Sequence, residues 1–339
     1  MGKKGVVELQ FNWIFVIIAG ALILTFFGSL VLKQKAIHDE QVAATAISNI
    51  NNLLIYSSAS PGLASIVELP NVEIQADCNN FRAGKGIYQK KGIAFSPAVI
   101  KGASLMYFAE DWEMPYKVAT FSYLADDNSR FIIVYDPADR RAMSLANELF
   151  AGLPDQAHKD LVEISSLNSI LDESNRFVRL VYIGAADPPE MPMGLAKSKG
   201  VSAINVLQDA KDQEIGTLKF YIRQGDGFSS EGDSYYLGMP MLTGAVFEEG
   251  LTDYKCIVAN AMKSLNSVSL FYKEFVESDP IIQEIRLAGC NSDFSALSAL
   301  ISLSNKTLTP ANAKNIRARA SELNSNNLNL LREGCQSIY

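Results

Sequence analysis

Four cysteines, Cys78, Cys256, Cys290 and Cys335, are the residues of this sequence best suited to covalent chemistry. None stands in a Cys-x-x-Cys pair, so zinc ligation and thioredoxin-like exchange lack their usual spacing. The number is even, and all four follow one long apolar run. Two disulfides in an oxidising compartment are the expected use; four buried free thiols would suit a cytoplasmic location instead. Four cysteines allow three connectivities. We favour Cys78–Cys256, whose members each end an extended segment, with Cys290–Cys335, which would tie down the last helix.

The rest of the chemical inventory is thin. The two histidines, His38 and His158, fall in the charged stretch His38-Asp39-Glu40 and in the loop DQAHKD. Both read as solvated surface. No HExxH, GxSxG, Walker A or GxGxxG motif occurs. Arg82-Ala83-Gly84-Lys85-Gly86 lacks the spacing of a phosphate loop and reads as a Gly-Lys-Gly turn. Asp136 follows a buried strand, where α/β sheets bind ligands, but the Pro after it favours a helix cap. Asp226, Ser230, Glu231 and Asp233 could offer oxygens to Ca²⁺, without the spacing of an EF-hand, and read as a solvated loop. No catalytic, cofactor-binding or metal-binding residue is assigned. Asn305-Lys306-Thr307 is the only glycosylation sequon, expected in a surface loop outside the cell.

What positions these residues begins with an anchor. No charged side chain occurs from Leu9 to Leu32, about 24 residues or ~36 Å of helix, enough to cross a bilayer. A secretory signal has a shorter apolar core followed by a small-residue cleavage site. Here Lys33, Lys35, Asp39 and Glu40 follow instead, so residues 1–35 read as a transmembrane anchor. Val42, Ala46, Ile47, Ile50, Leu53 and Leu54 then recur at helical spacing, and no breaker occurs before Pro61-Gly62. One helix is expected from about residue 6 to about residue 56, with residues 36–62 as an amphipathic stem whose apolar stripe needs a cover. Lysines flank the apolar run on both sides, so charge says little about orientation. The short amino-terminal flank and the cysteines favour a cytoplasmic amino terminus with the bulk of the chain outside.

One face of the helix is small or hydroxylated: Ala21, Thr25 and Ser29, with Gly20 and Gly28 beside them. Such faces let helices approach closely in lipid, and Asn12 could hydrogen-bond across the contact. Self-association is the functional reading; ordinary membrane-helix composition is the plainer one. The short basic leader, Gly5, Glu8, the apolar helix and its amphipathic extension together resemble a type IV or archaeal pilin stem. The resemblance covers about 50 residues and implies cleavage after the leader, bundling of apolar helices into a filament, and a register-setting role for Glu8. The sequence departs from that pattern: cutting after Lys4 or Gly5 would make Glu8 the fourth or third residue rather than the fifth, and no Gln-x-Ser-x-Glu signature is present. The stretches ELQFNWIFVIIAGALIL, GAVFEEGLTDYKC and REGCQSIY also resemble uncharacterised single-pass proteins of small-genome archaea, a likeness that implies no activity.

The 339 residues carry a net charge of −7, with 48% hydrophobic and 20% charged residues, the composition of a folded chain. That charge, without a basic cluster, argues against a nucleic-acid partner. Membrane lipid and other membrane helices are the partners expected. Residues 63–255 read as a β-rich to α/β ectodomain. Short strands are expected in NVEIQADC, KGIAFSP, ASLMYFAEDW, YKVATFSYL and FIIVYD. Asp136 is the expected cap of a helix with Ala142, Leu145, Ala146 and Leu149 inside. Further strands are expected at Leu161–Leu167, Phe177–Ile183, Val201–Leu207, Thr217–Ile222 and Tyr235–Phe247, with surface loops at 185–194 and 223–234. Residues 256–339 read as a disulfide-tied antiparallel helical domain, with helices ending before Asp279-Pro280, around Phe294–Leu303, and after a Thr309-Pro310 cap. The fold class expected is α+β or α/β on a transmembrane stem. A membrane-anchored structural or binding protein, in its sharpest form a pilin-like subunit, is the functional expectation. A receptor-like ectodomain that does not polymerise is the alternative.

Overall fold

The computed structural model describes the chain except residues 1–3, 58–60, 71, 172–176, 186, 188, 196, 197, 199, 279–292 and 336, and except the side chains of residues 4–12 and 36. The fold is mixed α and β, with a long apolar helix at its amino-terminal end. That helix, α1, runs without a break over Lys4–Ser57, 54 residues, about 80 Å at the usual rise.

Three sheets follow. The first has strand order β1-β7-β8-β5, built from Ser65–Glu68, Ser104–Glu113, Lys117–Asp126 and Ile93–Phe95. A small sheet, β4-β3-β2-β6, is made of Gly86–Gln89, Asn80–Ala83, Ile74–Ala76 and Val99–Ile100. The large sheet, β10-β9-β11-β12-β13-β14, uses Lys159–Glu163, Ser129–Tyr135, Phe177–Ile183, Val201–Gln208, Ile215–Gln224 and Gly227–Leu237. Its first four strands are mutually parallel and its last two antiparallel. Helix α2 (Arg140–Gly152) joins β9 to β10. Helices α3 (Met239–Phe247), α4 (Leu251–Val276), α5 (Ser295–Ser304) and α6 (Pro310–Arg332) complete the chain.

Strand alternation explains the layers. Along β7, Met106 and Phe108 face one core while Leu105, Tyr107 and Ala109 face another. Both faces are buried, so the strand reads as a continuous apolar run. On one side lies the main core, shared by the inner faces of the first and large sheets and by α2 to α6. On the other side, Ala43, Ala46, Ile47, Ile50 and Leu54 of α1 close over the first sheet together with Phe81, Ala83 and Ile74 of the small sheet. The amphipathic half of α1 therefore finds its cover on sheet residues. The outer face of the large sheet is closed by a 3₁₀ turn at Ile164–Ser169 and by the proline-rich loop after β11, whose Met191 and Leu195 are buried. Tyr182 donates to the Glu190 carbonyl, and Lys219 and Tyr221 both reach Asp187, which pins that loop.

Helix α3 sits at the centre. Seven of its residues, Met241 to Phe247, are buried on every side. A Cβ on Gly244 would stand 2.6 Å from the Phe95 ring, so glycine is what lets the helix and β5 meet. Its surroundings are aromatic: Phe247 packs on Phe108, Tyr123 and Phe131 with centroids 4.6–5.5 Å away.

Several expectations are corrected. Tyr235–Phe247 is not one strand: β14 ends at Leu237, and Pro240 in the first turn starts α3. An apolar run of that length carries no periodicity that separates buried strand from buried helix. Residues 223–234 are not a loop but the hairpin of β13 and β14, turning at Gly225-Asp226. Its polar face is solvated, which hid the strands. The cap of α2 is Asp139, whose carboxylate accepts from the backbone N–H of Arg141 and Ala142; Asp136 lies one turn earlier and accepts from Ala138. The strand expected at Leu161–Leu167 gives way at Glu163 to the 3₁₀ turn. Helix begins earlier than the expected Cys256: α3 follows β14 directly, and α4 starts at Leu251. The Thr309 cap is as expected, its hydroxyl accepting from Asn312.

The division of α1 makes a sharp prediction. Ile50 is 1% exposed and Ile23 is 57% exposed. Ile50→Ala should lower the unfolding free energy by about 2–5 kcal/mol in chemical denaturation, while Ile23→Ala should leave it unchanged.

Candidate functional site

Three features stand out when the side chains are taken from the residues upward: an uncovered apolar helix, a charged groove and a buried charged cluster. From Trp13 to Lys35 every described side chain of α1 is exposed or half-exposed, including Trp13, Phe15, Leu22, Leu24 and Phe26. The helix is long and apolar enough to cross a membrane. The expected small face lies on this free half. A Cβ placed on Gly20 or on Gly28 would meet nothing within 4 Å. Thr25 donates to the Ala21 carbonyl at 2.7 Å and Ser29 to the Phe26 carbonyl at 2.8 Å. Both hydroxyls are thus turned back on their own helix, and the face offers close approach rather than polar bonds. The side chains of Asn12 and Glu8 lie outside the described residues. His38 is exposed, as expected.

The groove, about 950 Å³, opens where β12 ends. Its walls are the β7–β8 turn at Glu113-Met114-Pro115, the β12–β13 turn at 209–215, and one face of α6. Lys314 pairs with Asp209 at 2.5 Å, and Arg317 with Asp212 and Glu214 at 3.4 and 3.2 Å. The Lys314 ammonium holds the Asp209 carboxyl below the usual carboxylate range. These pairs staple α6 to the turn and balance the groove's charge. Sequence reading missed the groove because its walls lie about 200 residues apart along the chain.

The buried cluster is the least expected feature. Arg179 of β11 is fully buried and lies 5.1 Å over the Phe220 ring. Its guanidinium donates to Ser202 Oγ at 3.0 Å, to the Ala245 carbonyl at 3.0 Å and to the Glu249 carbonyl at 3.2 Å. The Ala245 carbonyl lies in the last turn of α3, where a buried helix must satisfy its acceptors, and the Glu249 carbonyl lies just past its cap. Burial lowers the Arg179 pKa to about 10, against the opposing pull of Glu249, Glu248 and Glu231, so it stays cationic at neutral pH. Glu248, the residue after α3, is 3% exposed, and burial pushes its carboxyl up to about 8 despite Lys90 nearby. Lys90, after β4, is 6% exposed; burial lowers its pKa, with Glu248, Asp253 and Asp77 acting against that shift. No motif marks these residues, because the chain brings them together only through three different elements.

The disulfide Cys78–Cys256 lies beside this cluster. It is the pairing favoured from sequence. Cys335 is also disulfide-bonded; Cys290 lies outside the described residues. Asn305 is exposed at the carboxyl end of α5. His158 is exposed. Asp226 sits at the β13–β14 turn, while Ser230, Glu231 and Asp233 lie along β14, and Glu231 caps the Leu251 N–H at 3.4 Å. Among the described residues no group of His, Cys, Asp or Glu is arranged to hold a metal ion. Gly84, with φ of +57°, forms the expected turn between β3 and β4.

Comparison with protein-family models, curated proteins and solved structures finds no match to this chain.

Two outcomes follow from the cluster. Arg179→Met should cost about 3–5 kcal/mol in chemical denaturation, since it strips the buried Ala245 carbonyl and the half-buried Glu249 carbonyl of their donor. Glu248 holds its proton more tightly when folded than its ordinary 4.5 would allow. The stability this lends is complete below about pH 4.5 and is lost as pH rises through about 8. Relative to Glu248→Gln, the wild type should therefore lose at most about 1.4 kcal/mol per pH unit between pH 5 and 8. Parallel profiles for the two proteins would show that Glu248 is already ionised.

Proposed function

We propose that this chain is a membrane-anchored, extracytoplasmic structural or binding protein that associates through the free half of α1. The observation that carries the reading is the contrast along one helix. Ala43, Ala46, Ile47 and Ile50 are covered by the chain's own sheets, whereas the more apolar run before Lys33 is covered by nothing. An apolar surface of that extent needs lipid or other helices around it. Between Leu32 and Ala43 the helix is polar and exposed for about 16 Å, so the folded body would stand off the lipid on a naked helical spacer. On this reading α1 is a transmembrane helix continuing into a stem, and α4 to α6 form the helical bundle at the far end of the chain. The bonded cysteines and the exposed sequon at Asn305 favour an exterior location for the body.

The pilin-like form of the proposal uses Ala21, Thr25, Gly28 and their neighbours as the packing face, with Glu8 setting register. A receptor-like ectodomain is the second reading, favoured by the groove at the carboxyl end of β12, where α/β sheets often take ligands. Cysteine cross-linking in native membranes distinguishes the two. Ala21→Cys and Gly28→Cys should give oxidised dimers and higher species, while Leu30→Cys, on the far side of the helix, should not. Monomers from all three variants would end the assembly reading and leave the receptor-like one. Mass spectrometry of the mature amino terminus should show loss of the basic leader if the pilin-like form holds.

A further inference from the structure

The β3–β4 hairpin is held down by a mismatched set of contacts. Its buried apolar residues are Phe81 and Ala83. Against that small gain stands Lys90, a residue only 6% exposed whose amine lies 5.0 Å over the Phe81 ring. Among the described residues no hydrogen bond or ion pair reaches that amine. The acids that face it are engaged elsewhere: Asp253 accepts from the Cys78 N–H at 2.9 Å, and Asp77 accepts from Asn79, Asn80 and Arg82 at 2.8–3.0 Å. Glu248, the third, is itself buried. A cation largely removed from water without a close partner is costly and favours any opening that completes its hydration.

What opposes that opening is a short ladder of β3 on β2, at Gln75–Arg82 and Ala76–Phe81, and one covalent bond. The Cys78–Cys256 bond ties the residue two before β3 to the second turn of α4. The polar contacts beside it are ones that water can replace. Asn260 donates to Asn79 Oδ1 at 3.0 Å and lies 3.6 Å from the Cys78 sulfur, while Asn79 Nδ2 lies 3.7 Å from the Cys256 sulfur. At the other end Asn51 of α1 accepts from the Lys91 N–H at 3.1 Å and donates to the Gln89 carbonyl at 3.1 Å. Cys256 is partly exposed, which leaves the bond open to attack.

We propose that the Cys78–Cys256 disulfide is a redox-gated latch that keeps the β3–β4 hairpin closed over Lys90, and that an external dithiol opens it. The dithiol's thiolate attacks one sulfur, and its second thiol resolves the mixed disulfide. Two electrons and two protons pass to the protein; the products are the Cys78 and Cys256 thiols and a cyclic disulfide. Opening solvates Lys90 and uncovers the part of α1 that the hairpin covers, while the large sheet stays folded.

Hydrogen exchange on the full chain in detergent micelles, with and without dithiothreitol, tests this. On reduction, amides of residues 80–91 should exchange at least tenfold faster, with those of β11 unchanged, and Lys90 should become reactive to acetic anhydride. The Cys78→Ser/Cys256→Ser variant should behave like the reduced protein, which separates this bond from the one at Cys335. Lys90→Met should keep the hairpin protected even when reduced, because the buried amine is gone. Unchanged protection on reduction, or equal opening with and without the Lys90 amine, would overturn the proposal.

Discussion

A helix buried on every side has to find partners for its own backbone ends, and the architecture follows from how α3 solves this. Its position between the first and large sheets is what allows two sheets and the later helices to share one core. A surface helix can leave its last carbonyls to water, whereas α3 is buried from Met241 through Glu248. Arg179 reaches from the middle of β11 to the Ala245 and Glu249 carbonyls and lays its cationic plane on Phe220. A guanidinium suits this place because its fork can satisfy several acceptors at once and its charge opposes the negative end of the helix. The cost of burying it is shared among hydrogen bonds, the aromatic face and the nearby acids.

The same economy of partners runs through α1. One face of its later turns is covered by sheet residues, and the described side chains from Trp13 to Lys35 are exposed or half-exposed. The two halves therefore differ in surroundings. Nothing in helix geometry requires a break between them, and α1 continues through the change as one rod. A continuous helix ties the orientation of the folded body to that of its apolar half, which is the property the proposed anchoring role would use.

Around the carboxyl end of α3 three charged side chains are buried within reach of one another's field. Arg179, Glu248 and Lys90 arrive from β11, the end of α3 and the end of β4, and the disulfide closes the same corner. Glu248 acts on the proton affinity of both cations and they act on its own, so its charge links the two sides of this corner. The groove near α6 is the opposite case: its ion pairs lie at the surface, are screened by water, and act mainly to hold α6 in register with the β12–β13 turn.

Local pattern was enough for the long helix, for most buried strands and for the Thr309 cap, because each is written in neighbouring residues. It was enough to favour Cys78–Cys256 among three pairings, though only by where extended segments end. It failed at Tyr235–Phe247, where a uniformly apolar run has no period to read, and at β14, where a solvated face mimics a loop. The groove, the Arg179 contacts and the enclosure of Lys90 were invisible in principle. Each depends on side chains from elements far apart in the chain, and burial, which sets their charge and their partners, is a property of the packed whole and not of any stretch of sequence.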